Sequence, residues 1–499
     1  MKYVIGIDLG TSSVKSILVN QLGEVCDETA QEYPLIHEKS GYSEQNPEEW
    51  VNQTVKSLKE LTIRSGVSAS DIEGISFSGQ MHGLVLLDDH MQVLRNAILW
   101  NDTRTTPQCQ QIIHEFGDTV LAVTKNAVLE GFTLPKLLWV QQHEPELFAK
   151  AAVFMLPKDY LRFRLTGAIH MDYSDAAGTL LLDVINKNWS EEIASKFSIP
   201  LSICPPLVES SACVGNLIPE IAEQTGLSTD TKIMAGGADN ACGAIGAGIV
   251  SKGKTLCSIG TSGVILSYEE EKSRDFAGKV HFFNHGKEDA YYTMGVTLSA
   301  GQSLKWFRET FADGETFEEL TAGLEELPIG SGGLLFTPYL YGERTPHADS
   351  SIRASFIGMD ETHTKKHFAK AVMEGITFSL QESLEIFRSQ GKEIESIVSI
   401  GGGAKNPVWL QMQADIFNAQ VLTLTSEQGP AMGAAILAAV GSGWFRTIED
   451  CSKTFIGTAS IYEPNPEAVI RYQELFAVYQ NVYGKTKEIC AALQNFKGQ

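Results

Sequence analysis

A chain of 499 residues, 43% hydrophobic and 20% charged, exceeds the size at which one core keeps growing, so two globular domains are expected. Its 39 Lys plus Arg against 61 Asp plus Glu leave a formal net charge of -22. That excess excludes nucleic acid and anionic membranes as broad partners, but not a small anion neutralised locally by backbone N–H groups or Mg²⁺.

No apolar run approaches the ~20 residues needed to span a bilayer, and the first residues carry no secretory pattern. The eight cysteines are scattered without a CxxC pair. Neither a zinc site nor a disulfide framework is therefore expected, and a reduced cytoplasm is the expected compartment.

In chain order, "VIGIDLGTSSVKSIL" predicts a strand over Tyr3 to Asp8, a tight turn at Gly10-Thr11-Ser12 and a strand over Val14 to Val19. A third strand runs from Glu24 to Tyr33. Asn46 then caps a helix that begins at Pro47, with Glu49 placed for a capping box and Val51, Val55 and Leu58 at helical spacing. "IEGISFSG" over residues 72 to 79 is the next strand, and "AGGADNACGAIGAG" begins at residue 235.

The second half repeats this grammar. Thr255 to Ile259, the turn Gly260-Thr261-Ser262 and Val264 to Tyr268 form a second hairpin. A long amphipathic helix follows, carrying Phe368, Val372, Ile376, Leu380, Leu384 and Phe387 and stopping near Gly391. "SIVSIGGGAKNPVWL" reads strand, glycine turn and helix, with Asn406 as cap and Pro407 first in the helix. "QVLTLT" is a strand and "GPAMGAAILAAVGSG" a helix of small residues. The pattern is a mixed α/β chain built by tandem duplication, with a boundary near residues 245 to 253.

A turn whose glycine lacks Cβ lets backbone N–H groups approach an anion, and Thr and Ser hydroxyls add donors without charge. Either copy alone is equally a plain hairpin turn; recurrence with matching flanks favours a pair of phosphate turns. Asp8, just before the first turn, supplies a carboxylate where a phosphate-bound Mg²⁺ needs one. Lys15 is placed to reach a phosphoryl group or to lie on the surface.

Residues 248 to 255, "GIVSKGKT", spell the GxxxxGK[ST] phosphate-loop pattern. That motif works when a strand leads in and a helix leads out. Here the order is reversed, so Lys252 and Lys254 are expected in a solvated connector.

These features together resemble the FGGY carbohydrate kinases. "FTLPKLLWV" (132 to 140) is similar to the family's N-terminal signature and "ASFIGMDETHTKKHFAKAVME" (354 to 374) to its C-terminal one. The resemblance implies two ribonuclease H-like domains of the actin/Hsp70/hexokinase type, residues 1–246 and 247–499, with a nucleotide- and sugar-binding cleft between them that closes on substrate. It also implies ATP and Mg²⁺ as cofactors, a small-molecule sugar as partner, and leaves a homodimer open.

"SGQMHGLVLLD" (78 to 88) and "ILWNDTRT" (98 to 105) are most similar to members that phosphorylate the 5-hydroxyl of D-xylulose, with gluconate, L-ribulose or a related ketose as alternative acceptors. By that resemblance Asp239 is the general base; Met81, His82, Asp239, Asn240, Trp100 and Arg104 line or brace the sugar pocket. Gly10, Thr11, Ser12 and Lys15, with Gly260, Thr261 and Ser262, meet phosphate; Gly402, Gly403 and Asn406 take the adenosine end; Asp8 serves the metal. Taken on its own residues, Asp239 before a helical run is also ordinary cap chemistry, and Asp102 with Arg104 is also a structural pair. A switch ATPase of the actin or Hsp70 kind would use the doubled turns but leave "GQMHG" and Asp239 without a task.

Overall fold

The computed structural model describes residues 1–496. The chain forms two units. The first comprises Met1–Ser251, Tyr268–Tyr292 and Gln428–Gly457, and the second Lys252–Ser267, Thr293–Glu427 and Thr458–Gln499. The sequence boundary of 246/247 thus lies a few residues before the first crossing between units, and two later segments pack with the first unit.

The first unit is organised on a mixed sheet. Its strands are β1 (Tyr3–Leu9), β2 (Ser13–Asn20), β3 (Val25–Glu32), β4 (Ile72–Gly79), β5 (Cys213–Asn216), β6 (Lys232–Met234) and the short β7 (Gly237–Ala238). The order is β5-β6-β4-β1-β2-β3, with β7 also on β4. β1 runs antiparallel to β2, which sets Asp8 opposite Lys15, and parallel to β4, which sets Asp8 opposite Ser78. Because β1 and β4 lie in the middle of the sheet and are covered on both faces, their large apolar side chains Val4, Ile5, Ile7, Leu9, Ile75 and Phe77 are fully buried, as are Ser76 and Ser78.

Helix Pro47–Ser65 covers one face through Trp50, Val51, Leu58 and Leu61. Asn46 caps it as expected, but its carboxamide oxygen accepts from the Glu48 N–H and the box with Glu49 is not formed. The other face is covered by helix Pro430–Gly441. Small residues are needed there because backbones touch: a Cβ on Gly6 would lie 2.1 Å from the Ala431 carbonyl, and one on Gly433 would lie 1.9 Å from that of Cys242. This packing is why a helix late in the sequence belongs to the first unit.

The second unit repeats the plan. Its strands β8 (Lys254–Ile259), β9 (Gly263–Glu269), β10 (Tyr291–Thr297), β11 (Ser396–Gly401), β12 (Gln420–Leu424) and β13 (Thr458–Tyr462) follow the order β10-β9-β8-β11-β12-β13. β8 is antiparallel to β9 and parallel to β11, and β11 is parallel to β12, the arrangement of β1, β2, β4 and β6 once more. Helix Lys365–Ser389 buries Val372, Ile376, Leu380, Leu384 and Phe387 and ends just before Gly391. All eight cysteines are free, and no helix among the described residues is long and apolar enough to cross a membrane.

Candidate active site

The first Gly-Thr-Ser turn closes the β1–β2 hairpin and is held by side chains. The Tyr33 hydroxyl donates to the Gly10 carbonyl at 2.6 Å, and the Gln45 amide donates to the Thr11 carbonyl at 2.7 Å. The Trp100 indole N–H donates to the Thr11 hydroxyl at 2.9 Å. Gln45 is fixed in turn, its oxygen accepting from the Trp50 indole (3.0 Å) and the Gln80 amide (3.1 Å). Residues 42–50, "YSEQNPEEW", therefore brace the turn through Gln45 and Trp50.

Asp8 sits one residue before the end of β1, and its Oδ1 accepts from the Ser78 hydroxyl at 2.9 Å. Burial pushes its carboxyl above the ordinary range, against the pull of that hydrogen bond and of Lys15. The Lys15 ammonium is engaged by Gln428 Oε1 at 2.5 Å and Glu28 at 3.0 Å.

Asp239 is the first residue of helix Asp239–Gly246, directly after β7. It does not cap that helix: Ala238 holds the cap position, and Asp239 Oδ1 accepts from the backbone N–H (2.7 Å) and amide (3.1 Å) of its neighbour Asn240. Burial, with the Asp8 carboxylate adding repulsion, raises its pKa to about 7. A carboxylate poised near neutrality is what a general base at physiological pH requires.

Asn240 also ties this corner to Met81, its amide lying 3.5 Å from the thioether sulfur, which the Tyr292 hydroxyl approaches at 3.9 Å. His82 has φ 69°, a conformation costly for a side chain with Cβ and found where surrounding contacts enforce it. Those contacts are plain. The Thr133 hydroxyl (3.1 Å) and Lys136 ammonium (2.9 Å) donate to its carbonyl, and its ring stacks obliquely 4.6 Å from Phe132. Its Nδ1 lies 2.6 Å from the Gly178 carbonyl. Because a carbonyl only accepts, Nδ1 carries the proton, and in the neutral ring Nε2 is an acceptor.

Arg104 is a brace. Its guanidinium bonds Asp102 and Glu44, each at 2.7 Å, lies 3.7 Å over the Tyr42 ring, and leaves 2% of its side chain exposed. Asp102 completes the link by accepting the Ser43 N–H at 2.6 Å. Trp100, 44% exposed, meets the first Gly-Thr-Ser turn through Thr11. Asp8, Lys15, Met81, His82, Asp239 and Asn240 all belong to the first unit.

In the second unit the Gly260-Thr261-Ser262 turn is exposed and held by backbone. The N–H groups of Ala300 (3.0 Å) and Gln302 (3.2 Å) donate to the Thr261 carbonyl, and that of Gly301 donates to the Gly260 carbonyl at 2.8 Å. Gly402 and Gly403 form a single 3₁₀ turn after β11, and Asn406 caps helix Pro407–Phe417 through the Trp409 N–H at 3.0 Å. The Asn406 amide donates to the Thr321 hydroxyl at 2.7 Å. Lys252, in the phosphate-loop look-alike, pairs with Glu393 at 2.9 Å on the surface, and a strand follows it, the reversed context that disqualified the motif.

Three contributors escape sequence reasoning. Lys136 lies within "FTLPKLLWV", and its burial lowers its pKa to about 7 while it holds the His82 backbone. Ser78 is in register with Asp8, which strand pairing alone could have suggested. Tyr292 reaches Met81 from a distant part of the chain, for which no local signal exists.

Residues 3–246 match the N-terminal domain, and residues 255–442 the C-terminal domain, of the FGGY family of carbohydrate kinases. The chain is 67% identical to the xylulose kinase of Bacillus subtilis (strain 168) over the full length of both. Among solved structures it resembles the ligand-bound xylulose kinase of Lactobacillus acidophilus at TM-score 0.92 and 29% identity, over 97% of this chain and 98% of that one. It resembles the gluconate kinase of the same organism at TM-score 0.92 and 28% identity, with the same coverage. The duplicated hairpins, the carboxylate poised near neutrality and the match across both domains lead to one conclusion: the chain belongs to the FGGY family of carbohydrate kinases and is an ATP-dependent sugar kinase.

Proposed function

We propose that this chain is a cytoplasmic kinase that moves the γ-phosphoryl group of ATP to the 5-hydroxyl of D-xylulose. The observation that carries the reading is Asp239, a buried carboxylate raised to about 7 and bonded by Asn240, whose amide lies 3.5 Å from the sulfur of Met81, the neighbour of His82. The name of the 67% identical relative supports the same acceptor. As the sugar oxygen attacks the γ-phosphorus in line, Asp239 takes its proton, the bond to the bridging oxygen breaks and ADP leaves. The transition state of such transfers is loose, so the base acts late and chiefly orients the nucleophile. Met81 packs on the apolar face of the sugar, while the His82 imidazole and Asn240 amide meet its hydroxyls and carbonyl.

Asp8 fits a phosphate-associated Mg²⁺: it is a carboxylate whose charge burial leaves poorly compensated, with Ser78 as its hydrogen-bond donor. When bound, the cation neutralises charge on the β- and γ-phosphates. Gly10, Thr11 and Ser12, like Gly260, Thr261 and Ser262, offer N–H and hydroxyl donors to phosphate, and the bare backbone at Gly402 and Gly403 suits the adenosine end. Gluconate, the acceptor named for one structural relative, is the alternative acceptor. ADP release measured with a panel of sugars tests this. Turnover is expected with D-xylulose and not with gluconate, L-ribulose or glycerol; turnover with gluconate but not D-xylulose would overturn the assignment.

A further inference from the structure

Beneath β7 lies a fully buried ionic cluster. The Lys158 ammonium touches Asp159 (2.6 Å), Asp172 (2.9 Å) and Asp175 (3.1 Å), and Arg162 touches Asp159 at 2.8 Å; none of the five is exposed to solvent. The three carboxylates approach within 4.8 Å of one another, a spacing that would suit a metal ion, but Lys158 fills the place of one. Burial and the neighbouring carboxylates hold Asp175 well above its ordinary range despite Lys158. Burying so many charges is a poor route to stability, because desolvation offsets most of the Coulombic gain.

The cluster is attached at two points that matter to chemistry. On one side, Arg162 donates to the Ala235 carbonyl at 2.8 Å. Asp172 Oδ2 accepts from the hydroxyls of Ser174 (2.5 Å) and Ser210 (2.7 Å), and the Ser174 oxygen accepts the Ala238 N–H at 2.9 Å. Ala238 is the residue before Asp239. On the other side, Asp172 caps the five-residue helix Tyr173–Ala177, which ends at Gly178, and the Gly178 carbonyl receives the His82 ring. Within this unit one short helix therefore holds the backbone behind Asp239 at its start and the imidazole at its end.

We infer that Ser174 and Asp172, anchored by Lys158, are positioning residues that set Asp239 against His82 for phosphoryl transfer to the sugar. This rests on the reading of Asp239 and His82 under the proposed function. A Ser174→Ala substitution removes the acceptor of the Ala238 N–H and a donor to Asp172 while shrinking a buried side chain, so the protein is expected to fold. Misplacing a reacting group by ~1 Å costs about 100-fold. Ser174→Ala should lower kcat/KM for D-xylulose by about 10- to 100-fold and leave the KM for ATP within twofold.

The same substitution in an Asp239→Asn background should cost less than twofold, because the group it positions is gone. Wild-type sugar kinetics in Ser174→Ala overturn the inference. So does a loss that appears undiminished in the Asp239→Asn background, or one matched by an equal loss of ATP affinity, since either marks a merely structural residue. Wild-type activity in Asp239→Asn alone is a separate outcome: it would fail the reading of the base itself.

Discussion

The two Gly-Thr-Ser hairpins share sequence, sheet position and pairing pattern, yet their surroundings differ at each chemically active place. Two residues before the turn stands Asp8 in the first copy and Ser258 in the second; five residues after the glycine stand Lys15 and Ile265. The parallel neighbour sets Ser78 beside Asp8 and Ile400 beside Ser258. Beyond that neighbour, the first copy continues into Gln80-Met81-His82 and the second into Gly402-Gly403-Ala404. The same crook of the sheet thus carries polar and thioether side chains in one unit and is stripped to glycine backbone in the other. The Gly-Thr-Ser turn is present twice, and the charged side chains Asp8 and Lys15 flank only the first copy.

Making the copies alike should break function in proportion to what is exchanged. Among these exchanges the largest effect is expected from Asp8→Ser, which installs in the first hairpin the residue of the second. Loss of an electrostatic partner of this kind lowers kcat by about 10²- to 10³-fold, read in steady-state assays at saturating Mg²⁺ and ATP. The fold should gain rather than lose: burial raises the Asp8 pKa, so its ionisation penalises the folded state at high pH. A higher Tm than wild type is therefore expected at pH 8, with the advantage shrinking as pH falls toward the ordinary carboxylate range.

The bare crook is separated next. A Cβ on Gly403 would lie 2.7 Å from Ile259 side-chain atoms, whereas one on Gly402 would meet nothing nearer than the Ile259 carbonyl at 3.6 Å. Gly403→Ala should lose about 1–3 kcal/mol of stability by overpacking. Gly402→Ala should keep its Tm and raise the KM for ATP several-fold; unchanged KM would remove the nucleotide from this turn.

The smallest effect concerns the brace that distinguishes the first turn. Trp100→Phe deletes the indole N–H donor to Thr11, worth about 1 kcal/mol, and should raise the KM for ATP by about fivefold with kcat little changed. The second turn is held instead by the backbone N–H groups of Ala300, Gly301 and Gln302.

Much of this was legible in the residues. Periodic β-branched runs and glycine punctuation marked β1, β2, β4, β8, β9 and β11, because strand alternation and turn chemistry are local. Asp239 after a double glycine and the Asn406-Pro407 helix start were legible for the same reason. Long-range packing was not. Nothing near residue 430 says that its helix covers β1, and Lys158 lies 14 positions from the Asp172 it binds. The cap on Asn46 went to Glu48 rather than forming a box with Glu49, a choice made by side-chain torsions that composition does not record. Arg104 was expected to line or brace the pocket, and its tie to Glu44 comes through a fold of the chain rather than a sequence neighbour.

The proposed reaction turns on one buried carboxylate, Asp239, taking a proton from an alcohol. The pH dependence of kcat/KM for D-xylulose, measured on the wild type and on Asp239→Asn, tests it most directly. A base whose pKa is about 7 is competent above that value and silenced below it. The wild-type profile should rise through an acidic limb near pH 7, and Asp239→Asn should lose that limb along with about 10²- to 10⁴-fold of activity while still binding nucleotide. An Asp239→Asn protein that phosphorylates D-xylulose at the wild-type rate with the same limb would contradict it.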